Sequence, residues 1–168
     1  MIVYLTGFMG SGKTTTGRKL AALAGARFVD IDTEIEKAAG KSISRIFSEE
    51  GEVHFRKTEY DVLRRIDLTD GAVIATGGGT PCYADNMDYM NNTGITVYLK
   101  MTPAALASRL EYAMVSRPLI AGLSGESLNR YISDKITERE PYYLRSQIIF
   151  EGLNADAKLL LEKIRLIS

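Results

Sequence analysis

The sequence predicts an α/β fold in which a parallel sheet carries helices on both faces, organised as one domain over residues 1–168. Three observations predict it. Short apolar, β-rich runs recur along the chain, most of them without polar alternation, which is the pattern of strands buried on both faces. Helical patterns separate these runs, and alternating β and α elements point to a parallel sheet. A chain of 168 residues is about the size of one domain and buries a core without staples.

The expected strands are Ile2–Leu5, Arg27–Val29, Ala72–Ala75, Ile95–Leu99 and Gln147–Phe150. Helical patterns lie at Lys13–Ala24, Asp32–Ala39, a double segment from Ser42 to about Asp67, Asp85–Asn92, Pro103–Leu110, Glu126–Arg145 and Asn154–Ile167. Turn chemistry supports these divisions: Thr102-Pro103 is a good helix start, and Gly25, Gly40 and Gly94 each follow a helical stretch. Pro141 should interrupt or kink the helix it falls in. No repeat, linker or low-complexity tract is present. The stretch from Tyr112 to Gly125, with Pro118 and Gly122, is the least patterned, and such a loop inside a compact domain reads as a lid.

Composition narrows the function. The 21 basic and 21 acidic residues cancel, so no global field holds nucleic acid or an anionic membrane, and neither is an expected partner. One cysteine, Cys82, allows neither an internal disulfide nor a cysteine-based zinc site, so a reducing cytoplasm is expected and any metal must be held by oxygens. No apolar run reaches the ~20 residues that span a bilayer. No signal peptide is expected either, because the first apolar stretch, Ile2–Leu5, runs straight into a glycine loop. Nothing in the charge or apolar pattern demands a partner chain, so a monomer is expected.

The strongest motif is Gly7-Phe8-Met9-Gly10-Ser11-Gly12-Lys13-Thr14, a complete G-x-x-x-x-G-K-[ST] between a predicted strand and a predicted helix. Its glycines permit a tight turn and keep side chains away from phosphates, while backbone N–H groups and the helix N-terminus face the negative charge. Lys13 would reach the β- and γ-phosphates of a nucleotide, and the Thr14 hydroxyl would ligate Mg²⁺.

Asp30-Ile31-Asp32 follows at the carboxyl end of the second strand, where ligands sit in a parallel sheet. Strand alternation puts both carboxylates on one side, one able to hold a metal-bound water and the other to face an acceptor hydroxyl. Asp32 as a helix N-cap is an equally good reading. Gly77-Gly78-Gly79 sits directly after the third buried strand, where it fits close approach of a ligand to the main chain, with a plain loop as the alternative.

In Phe55-Arg56-Lys57-Thr58-Glu59, a helical wheel puts Glu59 inside the apolar stripe of Phe55, Val62 and Ile66. A carboxylate facing the core needs a partner, and Arg56, three residues back, is within reach. The pair reads as Glu59 orienting an inward Arg56 towards an anion, against the alternative of a solvated i,i+3 pair. Charge over residues 45–65 balances, five basic against five acidic, so anion selectivity rests on individual arginines. Arg117 in the unpatterned loop could close over transferring phosphate. Arg139 precedes Glu140-Pro141; both arginines also read as surface residues. His54 reads as an exposed helix residue. Cys82 reads as a packing residue with no adjoining basic group to lower its pKa.

The ensemble resembles the shikimate kinase family along the whole chain: Gly7–Thr15, Asp30-Ile31-Asp32, Phe55-Arg56 with Glu59, Gly77–Gly79, Ser116-Arg117-Pro118-Leu119 and Arg139-Glu140-Pro141-Tyr142-Tyr143. The phosphate loop alone is widespread; the ordered combination is specific. The resemblance implies a three-layer P-loop kinase fold with a five-stranded parallel sheet in the order 2-3-1-4-5, a substrate-binding segment at about 32–60 and a lid at about 112–125. It implies transfer of the ATP γ-phosphoryl group to the 3-hydroxyl of shikimate, giving 3-phosphoshikimate and ADP on the route to chorismate and the aromatic amino acids. One Mg²⁺ per subunit is implied, on Thr14 and, through water, Asp30.

By the same resemblance, Gly10, Ser11, Gly12, Lys13, Thr14, Thr15 and Arg117 bind ATP, with Lys13, Asp32 and Arg117 catalytic. Asp32 matches the family's substrate aspartate, Arg56 and Arg139 the pair that grips the substrate carboxylate, and Gly77, Gly78 and Gly79 the triplet beside the ring. Phe47 and Phe55 match positions lining the pocket, and Glu59 joins the substrate-binding set as the partner of Arg56. The chain departs from the family in two places. An arginine that packs on adenine in some members falls on Leu110 here, with Arg109 one residue early, and the loop before the last helix is acidic, Glu151-Gly152-Leu153-Asn154-Ala155-Asp156. Other small-metabolite kinases of this fold, and a nucleotide-binding sensor without turnover, are the rival readings.

Overall fold

Five parallel strands, β1 (Ile2–Thr6), β2 (Arg27–Asp30), β3 (Ala72–Ala75), β4 (Ile95–Lys100) and β5 (Ile148–Glu151), pair in the order β2-β3-β1-β4-β5 in the computed structural model, which describes residues 1–111, 120–152 and 155–168. β1 is central, with Val3 opposite both Val73 and Ile95 and Leu5 opposite both Ala75 and Val97. This is the strand order that the family resemblance implied.

Side-chain alternation along β1 builds two cores from one strand. Val3 and Leu5 face α1 (Lys13–Ala24) and α7 (Ala157–Ile167), where Leu20, Leu160, Leu161 and Ile164 meet them. Tyr4 faces the other way, towards α2 (Ile31–Ala39), α3 (Ile43–Arg65) and α4 (Asn86–Thr93), packing with Ile35, Ile46, Leu63, Met87 and Met90. Fully burying each such side chain contributes about 1.5–3 kcal/mol. A third cluster joins Phe8 to Leu106, Ala107 and Leu110 of α5 (Pro103–Glu111) and to Leu128, Ile132 and Ile136 of α6 (Gly125–Tyr143). It anchors the phosphate-loop residue Phe8 on the helices that flank the expected lid.

Local chemistry sets the element ends. α2 starts at Ile31, one residue earlier than expected, because Asp30 caps it, accepting from the Asp32 and Thr33 N–H groups. The double segment is a single span, α3, broken at Gly51, whose φ of 82° and ψ of 172° are not helical. α6 carries Pro141 in its last turn and stops at Tyr143, short of the expected Arg145. α7 starts at Ala157 rather than Asn154, where the Asp156 carboxylate accepts from Lys158 and Leu159. A 3₁₀ turn at Thr80–Cys82, absent from the sequence reading, follows the glycine triplet. Residues 112–119, which hold Arg117 and most of the expected lid, lie outside the described residues. No helix among those described is long and apolar enough to cross a membrane.

Candidate active site

The carboxyl ends of β1, β2 and β3 face one rim of the sheet, and most of the expected site residues among those described gather there. The loop from Gly7 to Thr14 closes with the Ser11 N–H donating to the Phe8 carbonyl and the Thr16 N–H donating to Gly12. Gly12 takes φ 90°, a conformation that L side chains rarely adopt, at the position capping α1. Lys13, nearly buried, donates to the carbonyls of Gly7 and Phe8 at 2.8 and 2.9 Å, which fixes the ammonium over the loop. Ser11 Oγ is buried and has no hydrogen-bond partner among the described residues, a polar atom in a loop whose N–H groups suit phosphate oxygens. Arg109 donates to the Gly10 carbonyl at 3.2 Å, while Leu110 packs under Gly10, so the arginine shifted by one residue lies against the loop itself.

The second strand delivers its two carboxylates differently from strand alternation. The strand ends at Asp30, so Asp32 sits in the first turn of α2, and it is Asp30, not Asp32, that caps the helix. Asp30 Oδ2 accepts from the Thr14 hydroxyl at 3.0 Å. The pair offers hard oxygens of the type Mg²⁺ takes alongside water and phosphate. Among the described residues no three His, Cys, Asp or Glu side chains converge as a metal cluster. Asp32 opens to solvent through a cavity mouth but is crowded by protein on its other sides. Desolvation, then the carboxylates of Asp30 and Glu59, push its pKa up to about 6, with Lys13 pulling the other way.

A cavity of about 530 Å³ joins the remaining residues; its lining includes Asp32, Phe47, Phe55, Arg56, Glu59, Gly77, Gly78, Gly79 and Arg139. Phe47 and Phe55, their rings 4.6 Å apart, form an apolar wall. Glu59 is wholly buried, as the helical wheel placed it. Its Oε2 lies 2.8 Å from Arg56 Nη1, and its Oε1 accepts from the Thr80 hydroxyl at 2.5 Å. Burial opposes the Arg56 charge, but Glu59 and Glu52 outweigh it and hold the guanidinium protonated. Arg139, 7% exposed, lies over the Phe8 ring at 5.7 Å. The glycines permit this crowding: a Cβ on Gly79 would lie 2.6 Å from Arg56 Cζ, and one on Gly77 would lie 2.7 Å from Glu59 Oε1. A larger cavity, about 680 Å³, opens between the ends of β4 and β5 and the middle of α6, and holds none of the expected site residues.

The structure therefore brings together the phosphate loop, Asp30, Asp32, Phe47, Phe55, Arg56, Glu59, the glycine triplet and Arg139. Thr15 is exposed on α1, one residue past Thr14. Arg117 lies outside the described residues. Folding also places Arg56 and Arg139 where their charges act on Cys82, so basic groups do adjoin it in space; burial nevertheless dominates and pushes the thiol up to about 11. His54 is exposed, with Nε2 2.6 Å from Glu50. Two participants carry no signal that pattern reading isolates. Thr80 is one of many threonines until the 3₁₀ turn points it at Glu59, and Tyr143 closes a helix but donates to the Gly78 carbonyl at 2.5 Å.

The arrangement offers an anion-binding loop, a pair of hard oxygens, a carboxylate base and two arginines across a small cavity, enough to move a phosphoryl group onto a hydroxyl of a small anionic acceptor. Comparison with known proteins points the same way. The family model described as shikimate kinase matches residues 9–166. A shikimate kinase from Parabacteroides distasonis is 45% identical over 150 residues, covering 89% of this chain and 87% of the relative. One from Chlorobaculum parvum is 42% identical, covering 88% and 81%. The crystal structure of shikimate kinase from Bacteroides thetaiotaomicron superposes with a TM-score of 0.91 at 34% identity, over 99% of this chain and 97% of that one. Shikimate kinase from Acinetobacter baumannii in complex with shikimate gives 0.85 at 38%, over 98% and 90%.

Proposed function

The chain belongs to the shikimate kinase family, and we propose that its ATP-dependent phosphorylation of shikimate is divided among the residues gathered at this rim. The acceptor lies in the 530 Å³ cavity with its carboxylate between Arg56 and Arg139 and its 3-hydroxyl towards Asp32. The observation that carries this reading is the make-up of that cavity's lining, which sets two nearly buried arginines and a carboxylate with a raised pKa around one space. Glu59 and Thr80 hold Arg56 in place, and the glycine triplet lets the main chain approach the ring.

The phosphate loop would cradle the ATP phosphates with its N–H groups, the Ser11 hydroxyl and the Lys13 ammonium. Thr14 and, through water, Asp30 would hold Mg²⁺, which neutralises phosphate charge when bound. Asp32 is ionised at neutral pH, with its pKa of about 6, and accepts the proton that the attacking hydroxyl loses. The bond from that oxygen to the γ-phosphorus forms as the bond to the β-bridging oxygen breaks, leaving ADP and 3-phosphoshikimate. Because the transition state is loose, positioning of the two substrates supplies most of the rate. A cytoplasmic monomer fits the neutral composition and single cysteine.

The experiment is an acceptor panel with coupled ADP detection, comparing shikimate with gluconate and nucleoside monophosphates. ADP release dependent on shikimate alone is expected. Turnover with another acceptor and none with shikimate would sink the assignment of this cavity.

A further inference from the structure

Tyr143 is wholly buried at the end of α6 and outside the lining of the acceptor cavity. Its hydroxyl donates to the main-chain carbonyl of Gly78, 65 residues away in sequence, at 2.5 Å. Arg139 lies one turn earlier on the same helix, so both side chains share a face. Its charge acts on the phenol, and a Cβ on Gly78 would lie 3.1 Å from Arg139 Nη1. Two neighbouring side chains of one helix, Arg139 and Tyr143, therefore both meet the glycine loop at Gly78. From below, the Tyr98 ring backs the Tyr143 ring at 5.0 Å between centroids.

In a trans peptide the carbonyl and the following N–H point in opposite directions. A Gly78 carbonyl drawn back to Tyr143, behind the cavity wall, turns the Gly79 N–H away from the phenol. Glycine at 78 and 79 leaves that peptide free to rotate, so the loop needs an external fixture. Burial pushes the phenol pKa up, which keeps the donor protonated throughout the working range.

We propose that Tyr143 is a positioning residue for the acceptor: it locks the Gly78–Gly79 peptide and Arg139 into one geometry, setting the recess that receives the carboxylate end of shikimate. The inference rests on the assignment of Arg139 and the glycine triplet to the acceptor site. Tyr143→Phe removes the hydroxyl and keeps the ring on Tyr98, and Tyr98→Phe, which removes the neighbouring hydroxyl and keeps its ring, is the control for hydroxyl loss as such. Steady-state kinetics with each substrate varied should show Y143F raising the KM for shikimate about tenfold. The KM for ATP should stay within about twofold and kcat within about threefold, with Y98F unchanged.

A purely structural bond would lower the melting temperature of Y143F and leave the shikimate KM in place; that result overturns the proposal, as does an equal rise in both KM values. A matching rise in Y98F assigns the effect to the loss of any hydroxyl beneath α6, not to the bond to Gly78, and overturns it too. Arg139→Ala, run alongside, separates the layers. If R139A raises the shikimate KM and Y143F does not, the role of Tyr143 alone falls; if R139A leaves it unchanged, the placement of the carboxylate falls and this inference with it.

Discussion

Glu59 Oε2 sits 2.8 Å from Arg56 Nη1 with none of the glutamate exposed, so the charge that faces the acceptor cavity is anchored by a carboxylate inside the protein. Removing one partner of a buried pair leaves the other uncompensated and costs about 3–5 kcal/mol. Glu59→Gln keeps the shape and one acceptor for Thr80 but loses the charge. It should raise the KM for shikimate roughly tenfold or more while sparing that for ATP. Thermal denaturation should show a lower melting temperature. A stable variant with unaltered kinetics would mean that Arg56 needs no anchor.

The raised pKa of Asp32 has two consequences of opposite kind. Below a pH of about 6 the carboxylate is protonated and cannot accept a proton, so kcat/KM should fall on the acid side with an inflection near that value. Asp32→Asn should lower kcat by about 10²–10⁴ and abolish that limb. For stability, a folded-state pKa above the unfolded one favours the fold below about 4 and loses that contribution as pH rises through about 6. D32N should therefore flatten the pH dependence of melting over that window and melt higher than the parent at neutral pH. A lower melting point at neutral pH would show that Asp32 is held by contacts that favour its charge.

Much of this site is readable from sequence because its parts are local. The phosphate loop is contiguous, and Glu59 falls on an apolar stripe that a helical wheel exposes. The loop, its flanking strand and α1 could be placed to within a residue for the same reason. Asp30-Ile31-Asp32 was less legible: period-two reasoning assumes the strand continues, whereas the Asp30 side chain, by accepting from the next turn's N–H groups, starts a helix at Ile31. Long-range partners were invisible. Thr80 meets Glu59 across 21 residues and Tyr143 meets Gly78 across 65, and neither separation follows from a period. The basic surroundings of Cys82 were missed likewise, since Arg56 and Arg139 come from two helices.

Asp30 carries two duties that one substitution can separate. It caps α2 and accepts from Thr14 at 3.0 Å. Asn is as good a cap as Asp but a weaker partner for a hydrated cation, so Asp30→Asn should leave the melting temperature within a few degrees. The Mg²⁺ concentration giving half-maximal activity should rise about tenfold. An unchanged Mg²⁺ requirement would confine Asp30 to capping. Chelation with EDTA should abolish turnover in the parent enzyme and restore it on adding Mg²⁺.

In the proposed division of labour at this rim, the acceptor's carboxylate sits on the arginines and ATP on the loop. Arg139→Ala, assayed by shikimate-dependent ADP release with each substrate varied in turn, tests it most directly. Loss of charge-assisted hydrogen bonds worth about 1.5–3 kcal/mol should raise the KM for shikimate roughly tenfold to a hundredfold and leave the KM for ATP within about twofold. Equal increases for both substrates, or none for shikimate, would contradict that division.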